Sequence, residues 1–369
     1  MADQRITKLA NLLVNYSIGV KAGDKVAVRG SSAGLPLILE VHKAVIHAGG
    51  HPIPIWREPE FEEYLLREGN DDQIKFLEPT GTYPYLEADA FISISADSNT
   101  RHKSTLSSSV QTKRAGVKSI VSQTYMDRSA AGKLRWVGTM FPTNAYAQDA
   151  DMSLEEYENF VYGACHADKD DPVAEWMALS TMQQKLVDYL VGKKDIQVKG
   201  ENVDLSLSIE GRSFVNSDGK KNMPSGEIFT GPVEDSVNGW IRYTFPAIHN
   251  GREVDGIELK FKDGKVVDAT AKKNEEYLLA VLDTDSGARY LGEFAVGTNN
   301  GIQQFTRSIL YDEKIGGTMH MAVGASYPET GGKNKSAVHW DMICDMRDGG
   351  QIFVDNELFY DSGRFVILD

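Results

Sequence analysis

The stretch DKVAVRGSSAGLPLILEVHKAVIHAGGHPIPIW, residues 24–56, predicts a strand, a helix and a second strand in direct succession. Residues 24–30 form a short, mostly apolar run, and residues 51–56 form another. Between them, residues 35–50 carry an apolar stripe at helical spacing and end in two glycines, a common helix stop. A strand–helix–strand unit implies parallel strands joined by a right-handed crossover. The stretch therefore predicts a layered α/β domain.

The rest of the first half continues this alternation. Residues 88–96, ADAFISISA, and residues 117–123, VKSIVSQ, are short apolar runs that we predict to be further strands. A helical pattern at residues 61–78 separates the first of these runs from the preceding strand. We therefore expect an N-terminal α/β domain with a parallel sheet over residues 1–190.

The pattern changes in the second half of the chain. Ser153 followed by Glu156 is a capping box that predicts a helix start, and Pro172 opens a second, long helix. Beyond residue 190 the sequence is dominated by strand patterns, including FKDGKVVD with Asp-Gly at a hairpin turn. We expect residues 191–369 to form a mainly β (α+β, barrel-like) catalytic domain.

Charge and composition exclude several classes of function. The net charge of −14 over 369 residues argues against nucleic acid or an anionic membrane as partner, because both would repel the chain. Two cysteines, Cys165 and Cys344, are too few for a disulfide framework. No apolar run is long enough to span a membrane, and the N-terminus lacks the apolar core of a signal peptide. We expect a cytoplasmic protein.

Acids and histidines are embedded in apolar strand sequence at several points of the second half. His339 and Asp341 lie two residues apart in SAVHWDMI, so their side chains point to the same face of a strand. His320 shares a strand face with Ala322 and Gly324, which leave room beside the imidazole. The set that we select comprises Glu227, Glu293, His320, His339 and Asp341.

Such groups are costly to bury unless they pair or bind metal. Three carboxylates and two imidazoles suit two divalent ions bridged by a carboxylate. Two ions about 4 Å apart can hold a shared hydroxide and polarise a carbonyl together. For His339 and Asp341 taken alone, a hydrogen-bonded structural pair is an equal alternative.

The order of these motifs resembles the M29 family of metallo-aminopeptidases over nearly the whole chain. The stretches that carry the resemblance are LLVNYSIGVKAGDKVAVRG (12–30), MPSGEIFTGPVEDSVNG (223–239), GEFAVGTNNGI (292–302), LYDEKIGGTMHMAVGASYPE (310–329) and HWDMI (339–343). The resemblance implies a metallo-aminopeptidase, a peptide hydrolase that uses a dinuclear metal site on peptides with a free N-terminus. It also implies a homodimer with an enclosed active site.

The resemblance assigns roles to individual residues. Glu227 corresponds to a ligand of one ion and Glu293 to the bridging carboxylate. The remaining ligands implied are His320, His339 and Asp341, with Glu313 as a further acidic ligand and Tyr327 as the active-site tyrosine. Two divalent ions per subunit are implied, and histidine with carboxylate ligands admits zinc, cobalt or manganese. A hydrogen bond from Tyr327 would stabilise the oxyanion, and Glu227 is a candidate proton carrier.

Two other functions remain open from the sequence. Residues 30–34 match the G-x-S-x-G pattern of serine hydrolases, with Ser32 as the nucleophile between a strand and a helix. Only one strand precedes it, which is too few for the central strand of that fold. Alternatively, the chain is an inactive homologue that acts as a binding or scaffold protein.

Overall fold

The computed structural model describes residues 3–368, and these divide into two compact units. The first comprises the chain up to Glu175 together with Gly219–Pro224, and the second comprises Trp176–Asp218 and the chain from Ser225 onward. The domain boundary after residue 190 stays a prediction. Within residues 3–368, no helix combines the length and the apolar character that crossing a membrane requires.

The α-helices are numbered in chain order. They are α1 (Gln4–Asn11), α2 (Leu35–His47), α3 (Pro59–Glu68), α4 (Asp71–Lys75), α5 (Pro79–Leu86), α6 (Ser108–Ala130), α7 (Asn144–Asp149), α8 (Leu154–Ala164), α9 (Pro172–Leu190), α10 (Glu275–Leu282) and α11 (Ile309–Asp312). A π-helical segment continues α1 over Leu12–Ser17, and short 3-10 turns occur at Ser32–Gly34, Pro328–Thr330 and Val366–Leu368.

The strands are numbered in the same way. They are β1 (Lys25–Gly30), β2 (His51–Trp56), β3 (Ala90–Ser95), β4 (Arg135–Met140), β5 (Asp195–Gly200), β6 (Val203–Ser208), β7 (Val215–Ser217), β8 (Asn222–Met223), β9 (Glu227–Thr230), β10 (Asn238–Arg242), β11 (Ala247–His249), β12 (Arg252–Val254), β13 (Glu258–Lys262), β14 (Lys265–Thr270), β15 (Leu291–Gly297), β16 (Thr318–Gly324), β17 (His339–Asp345), β18 (Gln351–Val354), β19 (Glu357–Asp361) and β20 (Arg364–Phe365).

A parallel sheet organises the first unit, in the strand order β2-β1-β3-β4-β8. The predicted strand–helix–strand unit is β1, α2 and β2, and Lys25 of β1 pairs with His51 of β2. Helix α2 is stable here because Leu37, Val41 and Val45, spaced by four residues, are all buried. The predicted α/β class of the N-terminal half is confirmed.

One predicted element in this unit is wrong. Residues 117–123 form no strand but lie inside α6. In this part of α6, Arg114, Lys118 and Val121 line the same cavity at intervals of four and three, which is the period of a helix. The β-branched residues of VKSIVSQ favour strands only weakly, and the long helix around them determines their conformation.

The second unit is mainly β, as predicted, and its larger sheets are antiparallel. One has the order β14-β13-β10-β6-β5-β18-β19-β20, and the other has the order β17-β16-β15-β9-β7. The predicted hairpin is β13 and β14, joined through Asp263 and Gly264, which both have positive φ as a two-residue turn requires. The capping box of Ser153 and Glu156 is also present, at the start of α8 in the first unit.

Strand alternation gives the sheet β17-β16-β15-β9-β7 two different faces. On one face Phe294, Met321 and Met342 are fully buried in the apolar core that this sheet shares with the larger one. On the other face stand the acids and histidines selected from the sequence. The core therefore fixes the register of the strands, and the register in turn fixes the polar face.

Candidate metal centre

Four neighbouring strands bring the predicted acids and histidines together on one face of the sheet. Directly paired residues of antiparallel strands share a face. Asp341 of β17 pairs with Ala322 of β16, which pairs with Glu293 of β15. Two residues before Ala322 on the same strand, His320 pairs with Ala295 of β15, so His320 lies on this face too. Glu227 enters from β9 opposite Gly297.

Small residues between these side chains leave the space that a bound ion needs. Ala322 lies between Glu293 and Asp341, and Gly324 lies opposite His339. Gly324 has a φ of +102°, and a Cβ there would lie 2.1 Å from the carbonyl oxygen of Val338. No other residue fits at Gly324 without moving the backbone that carries His339.

Glu293 is the centre of the group. Its side chain is buried, and its two oxygens face different imidazoles. Oε2 lies 3.2 Å from Nε2 of His339, and Oε1 lies 3.8 Å from Nε2 of His320. The carboxylate of Glu293 thus lies between the two imidazoles. A bridging ligand is predicted to have this position.

The ring of His339 is oriented by a backbone hydrogen bond. Its Nδ1 lies 2.8 Å from the carbonyl oxygen of Ala325 and donates to it. The lone pair of the neutral ring is then on Nε2, which faces Glu293 and lies 3.6 Å from Oδ1 of Asp341. A hydrogen bond of this kind prepares a histidine for metal binding.

Glu227 and His320 form the deeper part of the site. Both are buried, and Nε2 of His320 lies 3.3 Å from Oε2 of Glu227. Within residues 3–368, that glutamate oxygen and both ring nitrogens of His320 lack a hydrogen bond, as does Oδ1 of Asp341. Buried polar atoms without partners are costly, and a cation at this place would satisfy them together.

The segment after α11 contributes Glu313 and Lys314. An oxygen of Glu313 lies within 4.8 Å of donor atoms of His320 and Asp341, so this predicted residue also reaches the site. Lys314 is fully buried; its ammonium contacts Glu313 and lies 3.8 Å from Oε1 of Glu227. Burial lowers the pKa of Lys314, but the carboxylates of Glu227 and Glu313 raise it by more, so the pKa lies above its usual value. The ammonium of Lys314 is therefore a permanent positive charge in the site.

Lys314 was missed from the sequence. A lysine next to a glutamate in a glycine-rich turn is typical of a solvated surface, and nothing in its spacing indicates burial. The one available signal is its position between Glu313 and His320, two residues that were themselves selected.

Tyr327 stands at the rim of the site. Its ring packs edge-on against His339, with centroids 5.0 Å apart, and against Phe229 at 5.4 Å. The residue is 39% exposed. Burial of the ring and the nearby charges of Glu293 and Asp341 raise the pKa of the hydroxyl group, which therefore remains a hydrogen-bond donor.

The mutual effects of these groups on their pKa values follow from burial and charge. Burial alone would lower the pKa of both histidines. The surrounding carboxylates outweigh burial and raise the pKa of His320 to about 9 and that of His339 to about 10. Burial raises the pKa of Glu227 to about 7 and that of Asp341 to about 6. For Glu293 the two imidazoles outweigh burial and lower the pKa to about 2. Without metal, the site therefore holds protons that balance its carboxylates.

The donor set fits divalent metal ions. Three overlapping groups have donor atoms within 4.8 Å of one another: Glu227 with Glu293 and His320, Glu293 with His339 and Asp341, and Glu313 with His320 and Asp341. Imidazole nitrogen and carboxylate oxygen are the ligands of zinc, cobalt and manganese sites. The unpaired buried atoms of Glu227, His320 and Asp341 support the same conclusion.

Ser32 lies elsewhere, at the turn between β1 and α2 in the first unit. Its backbone N–H donates to Oε1 of Glu58 over 2.8 Å, and the residue starts a short 3-10 turn. This geometry is that of a strand-to-helix connection. The metal-binding groups are all in the second unit, so the two hypotheses concern different parts of the chain.

Residues 2–365 match the family described as thermophilic metalloprotease (M29). Among curated relatives, Aminopeptidase 2 of Geobacillus stearothermophilus is 27% identical over 94% of this chain and 93% of its own length. Aminopeptidase T of Thermus thermophilus is 32% identical over 62% of this chain and 60% of its own length. The structure of wild-type AmpT from Thermus thermophilus matches 98% of this chain and 99% of that chain, with a TM-score of 0.86 at 21% identity, and has the same fold.

We predict that metal binding releases protons and strengthens as pH rises. Histidine must be neutral to bind metal, whereas His320 and His339 keep their protons at pH 7 in the metal-free site because their pKa values are raised to about 9 and 10. Calorimetric titration with zinc in buffers of different ionisation enthalpy measures the protons released. Apparent affinity should increase from pH 6 to pH 8. An affinity independent of pH, with no protons released, would contradict the assignment.

Proposed function

The chain belongs to the M29 family of thermophilic metalloproteases, and from this premise we propose that it is a metal-dependent aminopeptidase that hydrolyses the N-terminal peptide bond of peptides. The observation that carries the proposal is the position of Glu293 between the imidazoles of His320 and His339, with unpaired buried donors on either side. Peptide hydrolysis at neutral pH is the chemistry that a bound metal in such a site promotes.

We assign two divalent ions to the site, with zinc, cobalt and manganese as candidates. One would be held by Glu227, Glu293 and His320, and the other by Glu293, His339 and Asp341, with Glu313 as a further ligand. When bound, the ions supply polarisation of the scissile carbonyl and a nucleophile at neutral pH. The buried ammonium of Lys314 offsets part of the charge of Glu227 and Glu313, which keeps these two carboxylates close to each other.

Tyr327 is proposed as the donor to the oxyanion that forms during peptide-bond cleavage. The partly exposed residue stands at the rim beside His339, where a substrate carbonyl would enter. A single well-placed donor of this kind contributes about 3 kcal/mol to transition-state stabilisation. Contact of the ring with Phe229 and His339 holds the side chain in place.

Glu227 is proposed to carry the proton from the attacking water to the leaving amine. It is buried beside the proposed ions, and this role requires that it coordinate them loosely enough to accept a proton. A carboxylate in this role acts first as a base and then as an acid.

The partners and location that we propose follow from the family. The substrates are peptides with a free N-terminus, as the relatives named aminopeptidases suggest. We propose a homodimer in the cytoplasm. The free thiols of Cys165 and Cys344, both buried, are compatible with a reducing compartment.

Removal and return of metal tests the proposed function. Hydrolysis of aminoacyl-coumarin substrates should disappear after chelation and return with cobalt, zinc or manganese. His339→Ala should be inactive with every metal, whereas His47→Ala, which removes an exposed histidine at the end of α2, should behave as wild type.

Two outcomes would refute the proposal. Activity that survives complete metal removal would support the alternative of a serine hydrolase with Ser32 as the nucleophile. Absence of activity with every metal, in a wild-type protein that binds metal and is folded, would favour the scaffold alternative.

Tyr327→Phe tests the oxyanion role separately. We expect kcat to fall about 100-fold because one hydrogen bond to the transition state is lost, while metal content stays at the wild-type level. Tyr64→Phe, at an exposed position of α3, is the control and should leave kcat unchanged. Loss of metal together with activity in Tyr327→Phe would show that the tyrosine has a structural role.

A further inference from the structure

The first unit contains a cavity that the proposed peptidase chemistry does not use. Its volume is about 420 Å³, within the range of small-molecule sites. It lies at the carboxyl ends of β1 and β2, where Arg29, Ile55 and Trp56 line it, and it extends between α3 and α6. Ligands of open α/β sheets bind outside the carboxyl ends of the strands.

Four basic side chains surround one acidic residue on the wall of this cavity. Glu62 of α3 lies 3.2 Å from Arg57, 2.5 Å from Lys103 and 3.9 Å from Arg114, and it also contacts Lys118. The cavity wall as a whole carries four cations, Arg29, Arg57, Arg114 and Lys118, and three carboxylates, Glu58, Glu62 and Glu78, so one positive charge is in excess. Burial lowers the pKa of Lys118, Glu62 raises it, and the charges of Arg57 and Arg114 lower it again, so that it lies below its usual value.

Arg29 and Glu58, of opposite charge, both hydrogen-bond to neutral groups. Arg29 donates to neutral groups, the hydroxyl groups of Tyr85 at 2.6 Å and Ser93 at 2.8 Å. The carboxylate of Glu58 accepts from the backbone of Ser32. This concentration of positive charge occurs in a chain whose net charge is −14, so it is a local feature and not a general property of the surface.

Arg114 is the buried member of the group. It is 6% exposed, and its Nη1 donates to the carbonyl oxygens of Ile74 and Phe76, which fixes the guanidinium against the cavity wall. Its Nη2 lies 3.5 Å from Glu78, whereas its Nε makes no hydrogen bond within the described residues. Arg114 is thus held by protein groups, and the partly exposed Arg57 and Lys118 are the cations that a ligand in the cavity can reach.

The wall also includes apolar side chains and exposed aromatic rings. Trp56 is 49% exposed and Phe61 is 67% exposed, and both line the cavity together with Leu65 and Val121. Large aromatic side chains exposed beside a concave surface are typical of ligand contacts. A ligand that matches both parts of the wall has a negatively charged group and an aromatic or branched apolar group.

We propose that this cavity binds a small organic anion, with its carboxylate or phosphate held by Arg57 and Lys118 and its apolar group against Trp56 and Phe61. The guanidinium group of Arg57 provides paired N–H donors that suit either type of anion. The site is separate from the metal-binding face and does not depend on the proposed peptidase activity.

Calorimetric titration of the full chain tests the proposal with four probes: phenyl phosphate, N-acetylphenylalanine, inorganic phosphate and benzyl alcohol. The two amphiphilic anions should bind with a Kd on the order of 0.1 mM, and the tighter of them identifies the charged group. Inorganic phosphate and benzyl alcohol, which each carry only one of the two features, should bind at least about tenfold more weakly.

Variants locate the binding. Arg57→Gln and Lys118→Gln should each weaken binding of the amphiphilic anions about tenfold or more, because a charge-assisted hydrogen bond is lost. Arg67→Gln, which removes an arginine of α3 that pairs with Glu63 outside the cavity, should stay within about twofold of wild type. In Trp56→Ala, the affinity for phenyl phosphate should fall to that for inorganic phosphate. His339→Ala should bind as wild type, which separates this site from the metal-binding face.

Several results would overturn the proposal. If neither amphiphilic anion binds more tightly than inorganic phosphate, or if binding is unchanged in both Arg57→Gln and Lys118→Gln, the basic group is a structural ion-pair network. If binding is lost in His339→Ala but kept in the cavity variants, the anion binds at the metal-binding face. Thermal melting shows which variants are folded, and Arg57→Gln, at a half-exposed position, keeps the test valid if Lys118→Gln does not fold.

Discussion

Buried carboxylates need positive charge, and the second unit is organised around this requirement. Glu227 and Glu293 are buried, and Glu313 and Asp341, which are partly buried, converge on them; charges in such surroundings are unfavourable unless they are compensated. Lys314 provides one positive charge that is permanent. The remaining compensation comes from protons on the imidazoles or from metal ions, and these two alternatives compete for the same nitrogen atoms.

The geometry of the site follows from strand register. Because side chains alternate between faces, burying Phe294, Met321 and Met342 in the core places the acids and histidines of the same strands on the opposite face. A shift of one residue in any of these strands would remove a ligand from the group and expose an apolar side chain. The apolar core thus specifies the metal centre as well as stabilising the fold. Gly324, at which no Cβ fits, keeps the space between the strands open.

Local sequence patterns were sufficient to predict much of this arrangement. The period of two placed His339 beside Asp341, and the glycine-terminated helix with its flanking strands gave the parallel sheet of the first unit. The strand predicted at residues 117–123 was wrong because a run of β-branched residues was taken without the helical spacing around it. Lys314 was missed because its burial depends on Glu227, which is 87 positions away and joins it only in the folded chain. The cavity lined by Arg57 and Lys118 was missed for the same reason, since these two residues both contact Glu62 only in the folded chain.

The central claim is that one sheet face holds metal ions through a shared Glu293. Anomalous X-ray scattering from crystals of the zinc-loaded protein, recorded at the zinc edge, tests this claim most directly. The account predicts two peaks on this face, both within coordination distance of Glu293, one beside His320 and the other beside His339. Zinc bound elsewhere in the chain, with no peak between β9 and β17, would contradict the account. A single peak would retain the metal centre and reject the shared role of Glu293.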